Sequence, residues 1–331
     1  MIKATEQLMD YLQRETPPNW EVISAFTNVI EVKGGPEDGE VIGKYLLDHQ
    51  GNFMLSDLYQ VILACGTPKI AEGFLKAGVR EGRLIEGIDL EVLEVIGRFQ
   101  LEEARSMLVH YALDEYDYYT SLHAVRGLLN YNCDDLQETI QTAIRSVYNK
   151  SLFNELVPAL VCKLKDRKDV LEQLYISGSN YCSSDCNGGI ILGFSLCGSE
   201  GIPYFKKALF NPFWEAHYPS RHYVVEGMEN LGLSLADLFK EIQGFQGRDE
   251  QSYGLQVLLS LLEVNIKSHR IKRNKTESYT KLMEEFFTPR GGNFSGDLTE
   301  FAKIFEKQEQ ASEMESLLRL RLREEVILSC L

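Results

Sequence analysis

Apolar residues along this chain fall in short runs at helical spacing. Each run ends in a small or polar turn, and a second apolar run follows. The turns lie near Gly66, Gly97, Asn130, Gly198 and Gly232, at intervals of 31, 33, 68 and 34 residues. The interval of 68 is two periods, with a further member expected near Leu164. A repeat of that length is the sequence mark of stacked helix-turn-helix units, each too small to bury its apolar face without a neighbour.

Taken element by element, the pattern predicts helices over 4–14, over 20–32 and from Pro36 through Asp48, separated by Pro17-Pro18 and by Gly34-Gly35-Pro36. The repeat becomes legible at Leu55. Ser56 is placed as the N-cap of a helix over 57–65, and Gly66-Thr67-Pro68 turns into a partner over 69–77 with Gly78 after it. Further pairs are expected at 89–96 with 101–113, 119–129 with 134–147, and 152–165 with 169–176. In the second of these, Asp134 and Asp135 fall at the cap and first turn, and Leu136, Ile140, Ala143, Ile144 and Val147 form one face. A Ser/Gly/Asn/Cys-rich loop is expected over 177–187, then pairs at 190–196 with 203–210 and 220–230 with 235–242. A seventh pair would use 253–264 and 280–287, split by the basic run 267–275, and residues 297–329 read as one long terminal helix. Alternating strand-like runs are scarce, so the fold class is all-α. The expected division is an N-terminal helical cap over 1–54, a repeat array over 55–245, and C-terminal helices over 246–331.

The segment Val95-Ile96-Gly97-Arg98-Phe99-Gln100-Leu101-Glu102-Glu103-Ala104, followed by Leu108, Ala112-Leu113-Asp114 and Ala124-Val125-Arg126, resembles a HEAT-type repeat of the short bacterial kind. Ser220-Arg221-His222-Tyr223-Val224-Val225 through Leu231-Gly232 is a weaker second match. Two positions depart from the pattern: Gly127 stands where a helical alanine is usual, and Asn130 replaces the turn glycine. The resemblance spans about residues 55–245 and its motifs encode helix packing rather than chemistry. It implies a right-handed α-solenoid of six or seven HEAT-like helix pairs with irregular terminal caps. Members of that family serve as protein-binding scaffolds, immunity proteins against toxins and chromophore-lyase subunits, with a minority of DNA-repair or hydroxylase enzymes.

Charge narrows the choice of partner. With 34 basic against 49 acidic residues the formal charge is −15. That disfavours nucleic acid, because binding a phosphate backbone needs Lys and Arg to displace counterions. It suits a basic protein, whose approach a negative field would accelerate, although acidity also serves plain solubility. No run approaches 18 uninterrupted apolar residues, so no membrane span is expected. The amino terminus lacks the apolar core of a secretory signal. Seven cysteines spread along the length read as reduced thiols, and the expected compartment is cytoplasmic.

Two turns at equivalent repeat positions are the candidate partner-binding sites. The first holds Asp114, Glu115, Tyr116, Asp117, Tyr118 and Tyr119; the second holds Phe213, Trp214, Glu215, His217 and Tyr218, with Arg221 beyond. Aromatics beside carboxylates supply rigid contact area plus charge, as interface anchors do. The same aromatics could instead plug gaps between neighbouring repeats. Cys182 and Cys186 form a single close pair with Cys197 nearby, and a fourth zinc ligand (Cys162, His217 or His222) would have to be imported, so no metal and no cofactor is expected. There is no P-loop, no H-E-x-x-H and no G-x-S-x-G, and no catalytic residue is assigned. The expected function is therefore non-catalytic: an acidic immunity- or antitoxin-type or regulatory inhibitor that clasps one basic partner protein, a toxin being the sharpest case. The alternative is a HEAT-like lyase or another chromophore-handling enzyme subunit.

Overall fold

The computed structural model describes residues 1–14, 18, 20–114, 117–147, 156–180, 184–214, 221–233 and 235–268. These are predominantly helical and divide into two compact units, Met1–Asn132 and one beginning at Cys133, each described by itself. The boundary falls inside the stretch expected as one array. The expected helices over 280–287 and 297–329, and most of the basic run, lie outside the described residues. No helix among the described residues is long and apolar enough to cross a membrane.

The first unit contains α1 (Lys3–Arg14), α2 (Trp20–Lys33), α3 (Pro36–Asp48), α4 (Leu58–Cys65), α5 (Pro68–Gly78), a hairpin of β1 (Val79–Arg80) and β2 (Arg83–Leu84), α6 (Val92–Arg98), α7 (Glu102–Leu113) and α8 (Tyr118–Leu128). Alternate helices stack: α2 on α4, α4 on α6 and α6 on α8, with α1 on α3 and α3 on α5 alongside. The second unit contains α9 (Gln137–Val147), a 3-10 segment Val157–Lys163, α10 (Lys168–Asn180), α11 (Ser184–Leu196), α12 (Ile202–Leu209), α13 (Arg221–Leu231), α14 (Leu235–Gln243) and α15 (Arg248–Ser268). Here the 3-10 segment stacks on α11, α11 on α13 and α13 on α15, with α10 on α12 beside them. The 33-residue echo marks this stacking. Gly66, Asn130, Leu164, Gly198 and Gly232 fall just past the ends of stacked elements, and Gly97 falls in the last turn of one.

Local chemistry sets the helix ends. Pro36 and Pro68 sit at first helical positions, where a missing N–H is harmless. The Thr67 hydroxyl accepts from Ile70 N at 3.4 Å and caps α5. Asp38, only 2% exposed, joins α1 to α3: its carboxylate accepts from Ile2 N at 2.9 Å, Thr5 Oγ1 at 2.5 Å and Gly35 N at 2.9 Å. Burial pushes that carboxyl up, but the Thr5 hydroxyl and the Gly35 and Ile2 N–H groups outweigh it and hold it below the usual carboxylate range. In the second unit the Gln137 amide donates to the Cys133 and Lys163 carbonyls at 2.9 Å each, and its oxygen accepts from Lys165 N at 2.8 Å.

The departure at Gly127 has a packing cause. A Cβ built on Gly97 would lie 2.3 Å from Gly127 Cα, and one on Gly127 would lie 2.5 Å from the Leu93 carbonyl oxygen. The α6 and α8 backbones touch there, and only hydrogen fits between them. His123 of α8, half-buried, meets Glu94 of α6 across the same contact at 2.6 Å.

Several expectations are corrected. The hairpin was not foreseen; its turn residues Glu81 and Gly82 have φ of 52° and 72°, the left-handed pair of a type I′ turn. Ser56 does not cap α4, which begins at Leu58 after Asp57; Asn52 caps a preceding 3-10 turn instead. Asp134 and Asp135 precede α9 by a turn, since that helix starts at Gln137. The described part of 152–165 is 3-10 rather than α, with Pro158 near its start. Most of the expected loop over 177–187 is helix: α10 runs to Asn180 and α11 begins at Ser184. Its weak helix formers are held by tertiary contacts, Gly178 against Trp214 and Asn187 buried at 2% exposure, which override propensity.

Two measurements check this account. Gly127→Ala raises helix propensity by about 1 kcal/mol, yet it should lower stability by about 1–3 kcal/mol through the collision with Leu93, seen as a lower thermal midpoint. Asp38→Asn should destabilise at neutral pH, because an amide N–H then opposes Gly35 N–H, at about 1–3 kcal/mol. A depressed native pKa stabilises above the unfolded value of about 3.9 and is lost as pH falls through the native one. The gap between wild type and Asp38→Asn should therefore narrow below about pH 4 and stay constant above it; a gap that persists in acid would refute the role given to the carboxylate.

Candidate partner-binding surfaces

In the first unit, α7 ends at Leu113 and Asp114 is exposed, with its carboxylate 3.5 Å from His110 Nδ1. Asp117, also exposed, caps α8: its Oδ2 accepts from Thr120 N at 2.9 Å and from the Thr120 hydroxyl. The negative charge sits where the α8 dipole favours it, so the turn is acidic at little cost to the fold. Tyr119 is 65% exposed and meets half-buried Tyr118 edge to face at 5.0 Å. Glu115 and Tyr116 lie outside the described residues. Tyr111, one turn before Asp114, accepts from Leu84 N at 3.0 Å, which fixes the exposed hairpin near this end of α7.

The chain's acidity is unevenly distributed. Residues 1–132 carry 21 acidic and 11 basic side chains, a net of −10; residues 133–268 carry 17 and 12, and residues 269–331 carry 11 of each. Two-thirds of the net charge thus belongs to residues 1–132, which display Asp114 and Asp117.

In the second unit, the turn after α12 is built on Asn211. Its oxygen accepts from Phe213 N at 3.0 Å and its amide donates to the Tyr175 hydroxyl at 3.2 Å. Phe213 is 79% exposed. Trp214 is a correction: at 1% exposure its indole is core, not a surface anchor. Tyr175 stacks on it at 5.6 Å and 19°, Phe194 lies 6.0 Å away, and a Cβ on Gly178 would be 2.3 Å from the ring. A side chain of that size gains more from full burial than from display. The indole Nε1 and the Asn187 Oδ1 have no hydrogen-bond partner there. Glu215, His217 and Tyr218 lie outside the described residues; Arg221 opens α13, and its side chain is outside them too.

Sequence reasoning missed the residues over Trp214. Tyr204 of α12 lies 6.4 Å from Tyr175 and 5.6 Å from Phe194, and the Lys207 ammonium sits 5.9 Å from the Tyr175 ring centre and 5.7 Å from that of Tyr204. Burial, and then a hydrogen bond to the Glu172 carboxylate, push the Tyr204 hydroxyl up, so it donates to Glu172. Tyr204 and Lys207 are visible in sequence as an i, i+3 pair; Tyr175 joins them only through the packing of α10 on α12.

Three of the described thiols, Cys65, Cys162 and Cys197, are poor nucleophiles. Burial pushes Cys65 and Cys162 up to about 11 and Cys197 up to about 12, so all three stay protonated at neutral pH. Among the described residues, no group of three or more His, Cys, Asp or Glu side chains could hold a metal ion. Cys182, and the side chain of Cys186, lie outside them. An open groove of about 310 Å³ runs between α9 and α10, lined by Ile144, Val170, Leu174 and half-exposed Ile176.

Comparison with protein-family models, with curated proteins and with solved structures finds no match to this chain.

The contrast between Phe213 and Trp214 is directly measurable. Trp214→Ala should cost about 3–5 kcal/mol in urea denaturation, whereas Phe213→Ala should stay within about 0.5 kcal/mol of wild type. A stable Trp214→Ala protein would mean that the indole is not the packing centre of its unit.

Proposed function

We propose that this chain is a HEAT-like helical array that works without catalysis, by binding one basic protein as an immunity- or antitoxin-type inhibitor does. The observation that carries the reading is the net of −10 carried by residues 1–132, among which Asp114, Asp117 and Tyr119 face solvent. A surface of one sign raises the encounter rate with a partner of the other sign and orients it. Exposed tyrosine beside those carboxylates adds apolar contact that charge alone lacks. The alternate stacking of helices within each unit supports the array reading, because it leaves helix ends such as Asp114 and Asp117 outside the core, where sequence can change without disturbing it. The field argues equally against direct contact with nucleic acid.

The test is capture from lysate of the native cell on immobilised protein, at low salt and at roughly 0.5 M salt, where exposed charge pairs are screened. One dominant basic protein, retained at low salt and released at high salt, is the expected outcome. The paired variant Asp114→Asn with Asp117→Asn should weaken that capture several-fold and leave the thermal midpoint unchanged within a few degrees, since asparagine still caps α8. Absence of a basic partner, or capture indifferent to both salt and the variant, would refute the clasp.

A further inference from the structure

The cluster over Trp214 gathers two tyrosine rings around one ammonium. Lys207 lies above Tyr204 by ordinary i, i+3 geometry on α12, which by itself would mean little. The second ring is different: Tyr175 comes from α10 and presents its face to the same ammonium at 5.9 Å. Both rings are held from behind. Tyr175 is stacked on buried Trp214 and receives the Asn211 amide on its hydroxyl at 3.2 Å; Tyr204 packs on Phe194 and donates to Glu172. Rings locked in this way lose little conformational freedom when a cation settles between them. Their negative faces, with the Glu172 carboxylate beside them, define a place for a positively charged group at the surface. Tyr175 and Tyr204 are half-buried, whereas Lys207 and Glu172 are exposed, so solvent reaches the site.

We infer that Tyr175, Tyr204 and Glu172 form a receptor for a cationic side chain, and that Lys207 occupies it as a resident stand-in. The ligand chemistry is an alkylammonium or quaternary ammonium group. This rests on the reading of a basic partner, one of whose lysines would exchange with Lys207. Exchange of one ammonium for another makes binding weak unless the rest of the partner is engaged, so the site adds selectivity to an encounter that charge begins.

The test uses a small cation and needs no partner. Tetramethylammonium chloride is titrated into the full-length protein, with sodium chloride at matched ionic strength as the blank, and followed by ring resonances in proton NMR. In Lys207→Met the shifts of Tyr175, Tyr204 and Trp214 should saturate in the millimolar range, with an apparent affinity at least about threefold above wild type, the size of a cation–π contact at an exposed site. Adding Tyr204→Leu should abolish them and adding Tyr204→Phe should preserve them; thermal melts establish that each variant is folded. Equal response in the Leu and Phe variants, or no saturable shift in Lys207→Met, overturns the inference. That result would leave the clasp standing, and a negative capture experiment would leave the cation site standing, so the two failures are distinguishable.

Discussion

Backbone contact between α6 and α8 at Gly97 and Gly127 sets the spacing on which the first unit depends. At that crossing a Cβ would land 2.3 Å from a neighbouring Cα, so the helices lie closer than side chains permit. Every other contact along the α2–α4–α6–α8 stack must accommodate that distance. Leu93, Val95 and Ile96 on one side and Ala124, Val125 and Leu128 on the other are fully buried beside it, and the His123–Glu94 pair straddles it. Interiors are close-packed, so a shift at one crossing is transmitted rather than absorbed. The position of α8 then fixes where Asp117 and Tyr119 stand.

Much of the helical plan was legible in the sequence, because the signals were local. Gly34-Gly35-Pro36 mark the start of α3, whose expected bounds Pro36 and Asp48 are the observed ones, and Gly66, Asn130 and Gly232 mark where stacked helices stop. Even the member inferred near Leu164 from a doubled interval falls directly after Lys163, though the element there is 3-10. The misses share a cause. The stretch 177–187 has loop composition, but Gly178 and Asn187 are there to meet Trp214, a contact invisible to any local window. The hairpin is two residues per strand, too short for alternation to register.

The candidate surfaces were legible to different degrees for the same reason. Asp114, Asp117 and Tyr119 could be read from composition, since carboxylates in a turn at a helix start are at home in solvent. Trp214 could not: an aromatic beside a turn is equally consistent with anchor and with core, and only the three-dimensional placement of Tyr175 and Phe194 around it decides. The uneven charge was present in the sequence from the start. It gained meaning only when the contact boundary at Asn132/Cys133 set residues 1–132, with their net of −10, apart from the stretch that follows.

Phe213 and Trp214 are adjacent on one 3-10 turn and meet opposite environments, one nearly all in water and the other nearly all in protein. Any replacement at 214 must refill a cavity bounded by Tyr175, Phe194 and Gly178, whereas replacement at 213 disturbs nothing beneath it. Over evolutionary time the two positions are therefore decoupled: the outer residue can drift with whatever it touches while the inner one is held still. A single turn of chain thus combines a fixed hinge pin with an interchangeable tip, and new recognition can arise there without a new fold.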